Sequence, residues 1–135
     1  MKEMLRDEPY LSEEYSAGSA GISAFDGDGA SRESVSVMKA GWDIDISGHR
    51  AKALTDEDIK AAYLILTMTK SHRDCITSFL PEAAEKTFTI KEYAGNRDST
   101  DIPDPFGMSV RSYTLCASEI RQAILILVEK LKKSR

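Results

Sequence analysis

The chain has 135 residues, 41% of them hydrophobic and 30% charged, with a formal net charge of −4. That length suits one domain, spanning 1–135, with a real core and is short for two. The composition is that of a soluble globular protein, not of a disordered chain. An acidic balance argues against sequence-independent nucleic-acid binding, which needs a basic surface to displace counterions. The basic cluster Lys130, Lys132, Lys133 and Arg135 fits the last turn of a helix, where cations offset the dipole. The charged start Met1 to Glu8 has no apolar core, and the longest apolar run, Ala123 to Val128, is too short to cross a bilayer. Cys75 and Cys116 lie outside any CxxC spacing and read as free thiols, so a reducing, cytoplasmic location is expected. His49 and His72 are isolated; neither a metal centre nor another cofactor is expected.

In chain order, residues 1–8 read as the end of a helix stopped by Pro9. Tyr15 to Phe25, rich in Ser, Ala and Gly, reads as a strand running into a loop, with small residues that permit close backbone approach. Asp26-Gly27-Asp28-Gly29 is a turn, and Ser31 N-caps a helix through Lys39 that Gly41 ends. Trp42 to Ile46 is expected to be short and extended. Thr55-Asp56-Glu57-Asp58 forms a capping box for a brief helix. The apolar run Tyr63 to Met68 has the pattern of a strand covered on both faces of a parallel sheet. Ser71 caps the next helix, which points Ile76, Phe79 and Leu80 inward before Pro81 breaks or restarts it. Thr87 to Ile90 is another strand. A polar loop from Gly95 to Pro103 leads into a final helix, on which Tyr113, Cys116, Ala117, Ile120, Ile124, Leu127 and Leu131 share one face. Strands alternating with helices predict an α/β fold with a parallel sheet and right-handed crossovers.

The stretch Asp101-Ile102-Pro103-Asp104-Pro105-Phe106-Gly107 carries the most chemistry. It places an acid held extended before proline beside an aromatic ring, at the entry to the last helix. On its own, Asp104 reads either as a general acid at a pocket mouth or as a carboxylate at a helix N-terminus.

Several stretches together resemble the low-molecular-weight protein phosphatase family. Ser19-Ala20-Gly21-Ile22-Ser23-Ala24-Phe25 looks like its second strand and aromatic-wall loop. Ser47-Gly48-His49-Arg50-Ala51 resembles its Ser-x-His-Arg-Ala element, and Leu66-Thr67-Met68-Thr69 the end of its third strand. Asp104-Pro105-Phe106-Gly107 resembles its general-acid loop, and with Lys91-Glu92-Tyr93 upstream looks more like the protein-arginine-phosphatase branch than the tyrosine-directed members.

The resemblance implies a three-layer α/β/α fold acting on a phosphorylated protein substrate. A thiolate in a Cys-x5-Arg-Ser loop attacks phosphorus, backbone amides and an arginine hold the phosphate, and an aspartic acid protonates the leaving group. By position Asp104 is that acid, Phe106 and Phe25 wall the pocket, and Ser19 and His49 brace the phosphate loop. Neither Cys75 nor Cys116 begins a Cys-x5-Arg motif, because Pro81 and Gln122 stand at the sixth following positions.

The resemblance therefore implies a domain incomplete at its N-terminus, without the family's first, central strand and its phosphate loop. On that expectation the chain is inactive as written, either an enzyme lacking its nucleophile or a partner-binding remnant. The gap left by the strand predicts exposed sheet edges, with weak stability, oligomerisation through those edges, or direct pairing of the Tyr15–Ser23 strand with Tyr63–Met68. An arsenate-reductase relative on the same scaffold would need a second cysteine near Cys75, and none is there.

Overall fold

A computed structural model of the chain describes residues 17–21, 27, 29–50, 52–95, 100–105 and 108–133. The expected helix end at 1–8 lies outside these residues. In order, the elements are α1 (Arg32–Trp42), α2 (Asp56–Ala61), β1 (Ile65–Thr67), α3 (Lys70–Phe79), a 3-10 helix (Pro81–Lys86), β2 (Thr87–Thr89), α4 (Ile90–Tyr93) and α5 (Val110–Lys133). The two strands run parallel, with Ile65 opposite Thr87, Leu66 opposite Phe88 and Thr67 opposite Thr89.

Side-chain alternation along β1 divides the core. Ile65 packs with the cluster of Ile59, Ile76 and Ala83, drawn from α2, α3 and the 3-10 helix. Leu66 points the other way, against Leu127, Val128 and Leu131 of α5 and against the neighbouring cluster of Ile90, Ile102 and Ala123. Helices thus cover both faces of a small parallel sheet, the α/β arrangement that alternating strands and helices require.

Several boundaries move from their expected places. Helix α1 starts on the Ser31 cap, whose Oγ accepts the Ser34 amide, but it runs past Gly41 to Trp42. Asp43 ends it in a left-handed conformation (φ 54°), donating its amide to the Lys39 carbonyl. Residues 43–46 form no strand in consequence. Helix α3 is capped by Thr69, which accepts the His72 amide, and Ser71 lies inside it. Ile76 is buried as expected, yet Phe79 is 67% exposed, because the helix ends there and Pro81 begins the 3-10 turn. The apolar run at 63–68 contributes only three residues to the ladder, and Tyr63 is 74% exposed. Ile90 is the first residue of α4, not the last of β2.

The anticipated pairing of Tyr15–Ser23 with β1 is not what the described part of that segment does. Gly21 instead bridges Ala53 in parallel, its amide donating to the Lys52 carbonyl and its carbonyl accepting the Leu54 amide. No helix among the described residues is long and apolar enough to cross a membrane.

Candidate active site

The residues leading to Asp104 are fixed one after another. The Asp101 carboxylate accepts the Lys70 amide at 2.8 Å, at the start of α3, and the Thr100 hydroxyl at 3.0 Å. The Lys70 amide and the Thr100 hydroxyl hold the Asp101 carboxyl below its ordinary range, with the charges of His72 and Lys70 adding to the effect. The next amide, that of Ile102, donates to the Met68 carbonyl at 2.8 Å, just beyond the end of β1, and the Ile102 side chain is 2% exposed among Ile90 and Ala123. The Pro103 carbonyl faces the Cys116 thiol of α5 at 3.8 Å. Asp104 follows as an exposed residue.

Asp104 and Pro105 form part of the wall of a cavity of about 420 Å³ between α1 and the N-terminal half of α5. Val37, Met38 and Trp42 line it from α1, Ile44 and Ile46 from the segment after α1, and Tyr113, Cys116 and Ile120 from α5. Arg121 is the single cation among the described lining residues. A pocket of this size and polarity suits an apolar side chain or ring, whereas a phosphate dianion needs several converging N–H donors. Burial pushes the Cys116 thiol above its ordinary range, and the negative charges of Glu119 and Asp104 push it further. Such a thiol is the reverse of an activated nucleophile.

The helix-carboxylate alternative for Asp104 does not describe its position. Helix α5 begins at Val110 and takes its cap from Ser109, whose Oγ accepts the Ser112 amide at 3.2 Å. Asp104 lies upstream of that cap, on the cavity wall. Of the other sequence-derived candidates, Phe25 and Phe106 lie outside the described residues. Ser19 is exposed in an irregular segment. His49 is exposed in a turn where its amide donates to the Ile46 carbonyl and its own carbonyl accepts the Arg50 guanidinium at 2.8 Å. The bridge from Gly21 to Ala53 and that from Gly29 to Arg50 bring the Ser19 segment and the His49 turn onto neighbouring backbone. Neither Ser19 nor His49 is among the described residues lining the cavity.

Two features escaped the sequence. Asp101 stands 31 residues from the Lys70 amide it accepts, so no local pattern could pair them. Trp42, Ile44 and Ile46 wall the cavity where an extended segment was expected; their alternation was visible, but the left-handed turn at Asp43 that redirects them was not. Among the described residues no group of three or more His, Cys, Asp or Glu side chains could hold a metal ion.

Comparison with known proteins agrees with the fold. The family model for low molecular weight phosphotyrosine protein phosphatase matches residues 2–135. The chain is 39% identical to a protein-arginine-phosphatase of Geobacillus stearothermophilus over 115 residues, covering 84% of this chain and 75% of that protein. It is 35% identical to a low molecular weight protein-tyrosine-phosphatase of Staphylococcus epidermidis over 117 residues, covering 87% and 77%. The crystal structure of a low molecular weight protein tyrosine phosphatase from T. tengcongensis superposes with a TM-score of 0.85 at 42% identity, covering 96% of this chain and 86% of the other.

Proposed function

The chain belongs to the low molecular weight phosphotyrosine protein phosphatase family, and from that premise we propose that Asp104 is the general acid of a phosphatase acting on phosphorylated protein side chains. The observation that carries the reading is the placement of Asp104 on the wall of an apolar cavity, at the end of a segment tied to β1, α3 and α5. A carboxylic acid there can give its proton to the departing nitrogen or oxygen as the phosphorus bond breaks. Its conjugate base can then take a proton from the water that hydrolyses the phosphocysteine.

In this reading the whole of 1–135 is one domain. Phe25 and Phe106 wall the pocket, and Ser19 and His49 brace the phosphate loop. The substrate is a phosphoarginine in preference to a phosphotyrosine, a choice supported by the Asp-Pro-Phe-Gly form and by the similarity to protein-arginine-phosphatase. The nucleophile and the phosphate cradle come from a Cys-x5-Arg motif, which occurs nowhere in these 135 residues. An acid without a nucleophile and oxyanion donors has little to act upon, so these 135 residues alone are expected to show no turnover. The second reading is a catalytically silent module that binds a partner. Two unpaired thiols support a reducing, cytoplasmic setting. Among the described residues β1 pairs with β2 alone, which supports self-association through its other side.

The test compares the 135-residue chain with the same chain preceded by an apolar strand and a Cys-x5-Arg-Ser loop, on phosphoarginine and phosphotyrosine peptides. The extended protein is expected to turn over and the shorter one not. Asp104→Asn in the extended protein should cut kcat by roughly 10²- to 10⁴-fold, the usual contribution of a positioned acid. Undiminished turnover in that variant would remove Asp104 from the mechanism, and no turnover in the extended protein would favour the silent module.

A further inference from the structure

Three consecutive residues ahead of the acid are each held by a different element: Asp101 by the first amide of α3, Ile102 by the Met68 carbonyl after β1, and Pro103 by the Cys116 thiol of α5. The stretch from Ile102 to Pro105 has little torsional freedom of its own. Proline fixes φ at residues 103 and 105, and the residue before each proline, Ile102 and Asp104, is confined to extended backbone. The arm from Asp101 to Asp104 is therefore stiff and about 10 Å long, so a shift at its root reappears at its tip.

We propose that Asp101 is the positioning residue for this acid: its carboxylate, by accepting the Lys70 amide, sets where Asp104 stands over the cavity. The geometry is independent of any activity; the catalytic consequence rests on the phosphatase reading above.

A carboxylate suits that role at this place. Lys70 is the first residue of α3, and its amide has no acceptor within the helix; Thr69 serves only the His72 amide. The positive end of the helix favours an anion, and the Thr100 hydroxyl fixes the same oxygen from the other side. Ile102 has anchors of its own, a side chain 2% exposed and an amide on the Met68 carbonyl, so in an Asp101 variant the arm is expected to shift and loosen without leaving the fold.

Two variants and two readouts decide it. Asp101→Ala removes the acceptor, whereas Asp101→Asn keeps a side-chain oxygen able to receive the Lys70 amide. In the 135-residue chain, amide hydrogen exchange should quicken about five- to tenfold at both Lys70 and Ile102 in Asp101→Ala, the equivalent of one lost hydrogen bond. The Leu127 amide should be unchanged, and Asp101→Asn should stay within about twofold of the parent. Faster exchange at Lys70 alone would overturn the proposal, because the arm would then not follow its root.

In the chain extended with a Cys-x5-Arg-Ser loop, Asp101→Ala should lower kcat/KM about tenfold on a phosphoarginine peptide. On the same measure p-nitrophenyl phosphate, whose leaving group departs with little help from an acid, should lose less than about twofold, because kcat/KM stops at the transfer to cysteine and leaves out the hydrolysis common to both substrates. Asp101→Asn should restore the peptide rate. Equal losses on both substrates would mark a general structural defect and overturn the proposal. If the extended chain hydrolyses neither substrate, the phosphatase reading fails, and the exchange measurement alone decides whether Asp101 sets the arm.

Discussion

Glu92 shows how much one side chain can be asked to hold. Its backbone and carboxylate form the capping box of α4, where the Thr89 amide donates to Oε1 at 2.7 Å. Both of its carboxylate oxygens also lie 2.7 Å from the Arg73 Nη1 of α3, with about three quarters of each side chain out of solvent. Burial alone would raise the Glu92 carboxyl, but the Arg73 guanidinium and the Thr89 amide outweigh it and leave it below its ordinary range. A depressed carboxyl contributes stability above its unfolded value of about 4.3 and loses it as pH falls through the folded one. Glu92→Gln should therefore cost about 1–2 kcal/mol at pH 7, measured by urea unfolding. The difference from the parent should narrow when the measurement is repeated well below the unfolded carboxyl's titration. An equal difference at both pH values would mean that the charge does not matter. The Lys91-Glu92-Tyr93 stretch could be singled out from the sequence, but Arg73 lies 19 residues away, and only the folding of α3 onto β2 brings the two together.

Element boundaries were legible where the signal was local and hidden where a neighbour decided. The capping box at Thr55 was readable because donor and acceptor lie within four residues, and the structure has both bonds. At α3 two hydroxyls competed, and Thr69 took the cap over Ser71 because its own hydroxyl reaches the His72 amide where the chain leaves β1. Thr67 binds the Thr69 carbonyl from the other side, which fixes that exit. Removing the hydroxyl in Thr69→Ala should destabilise the protein by about 1 kcal/mol, whereas Ser71→Ala, at the second residue of the helix, should stay within about 0.5 kcal/mol. Thermal unfolding of the two variants separates them, and a larger loss in Ser71→Ala than in Thr69→Ala would return the cap to Ser71. The end of α1 is hidden for a related reason: Gly41 carries the usual stop signal, but the left-handed residue is Asp43. An aspartate tolerates that conformation better than most side chains, and Lys39 pairs with it at 2.7 Å.

At the scale of the whole molecule, the sequence foretold an α/β sandwich of helices around a small parallel sheet, because the strand-helix alternation is a global pattern. It could not tell how long each strand is. An apolar run marks burial, while the ladder ends where the partner's hydrogen bonds end, and β1 pairs for only three residues with β2. The candidate site divides in the same way. Asp104 was readable from its proline-flanked context, but the cavity beneath it is assembled from α1 and α5, whose docking no local pattern encodes.

The short ladder also bears on association. Among the described residues β1 has one strand partner, β2, and backbone groups along an unpaired edge are a template for another chain. Leu66 packs inward against α5, whereas Phe79, Leu115 and Ile126 stand on the surface at 67%, 57% and 42% exposure. Self-association should therefore appear as concentration rises from about 10 µM toward 1 mM, seen as a growing sedimentation coefficient. Pairing through the edge should recede when a lysine is placed at Tyr63, 74% exposed two residues ahead of the strand, since edge charges oppose strand pairing. Lysine at the exposed Leu115 should leave it unchanged. If the Leu115 variant alone abolishes association, the contact is made by the outer face of α5 and the edge of β1 is not the interface.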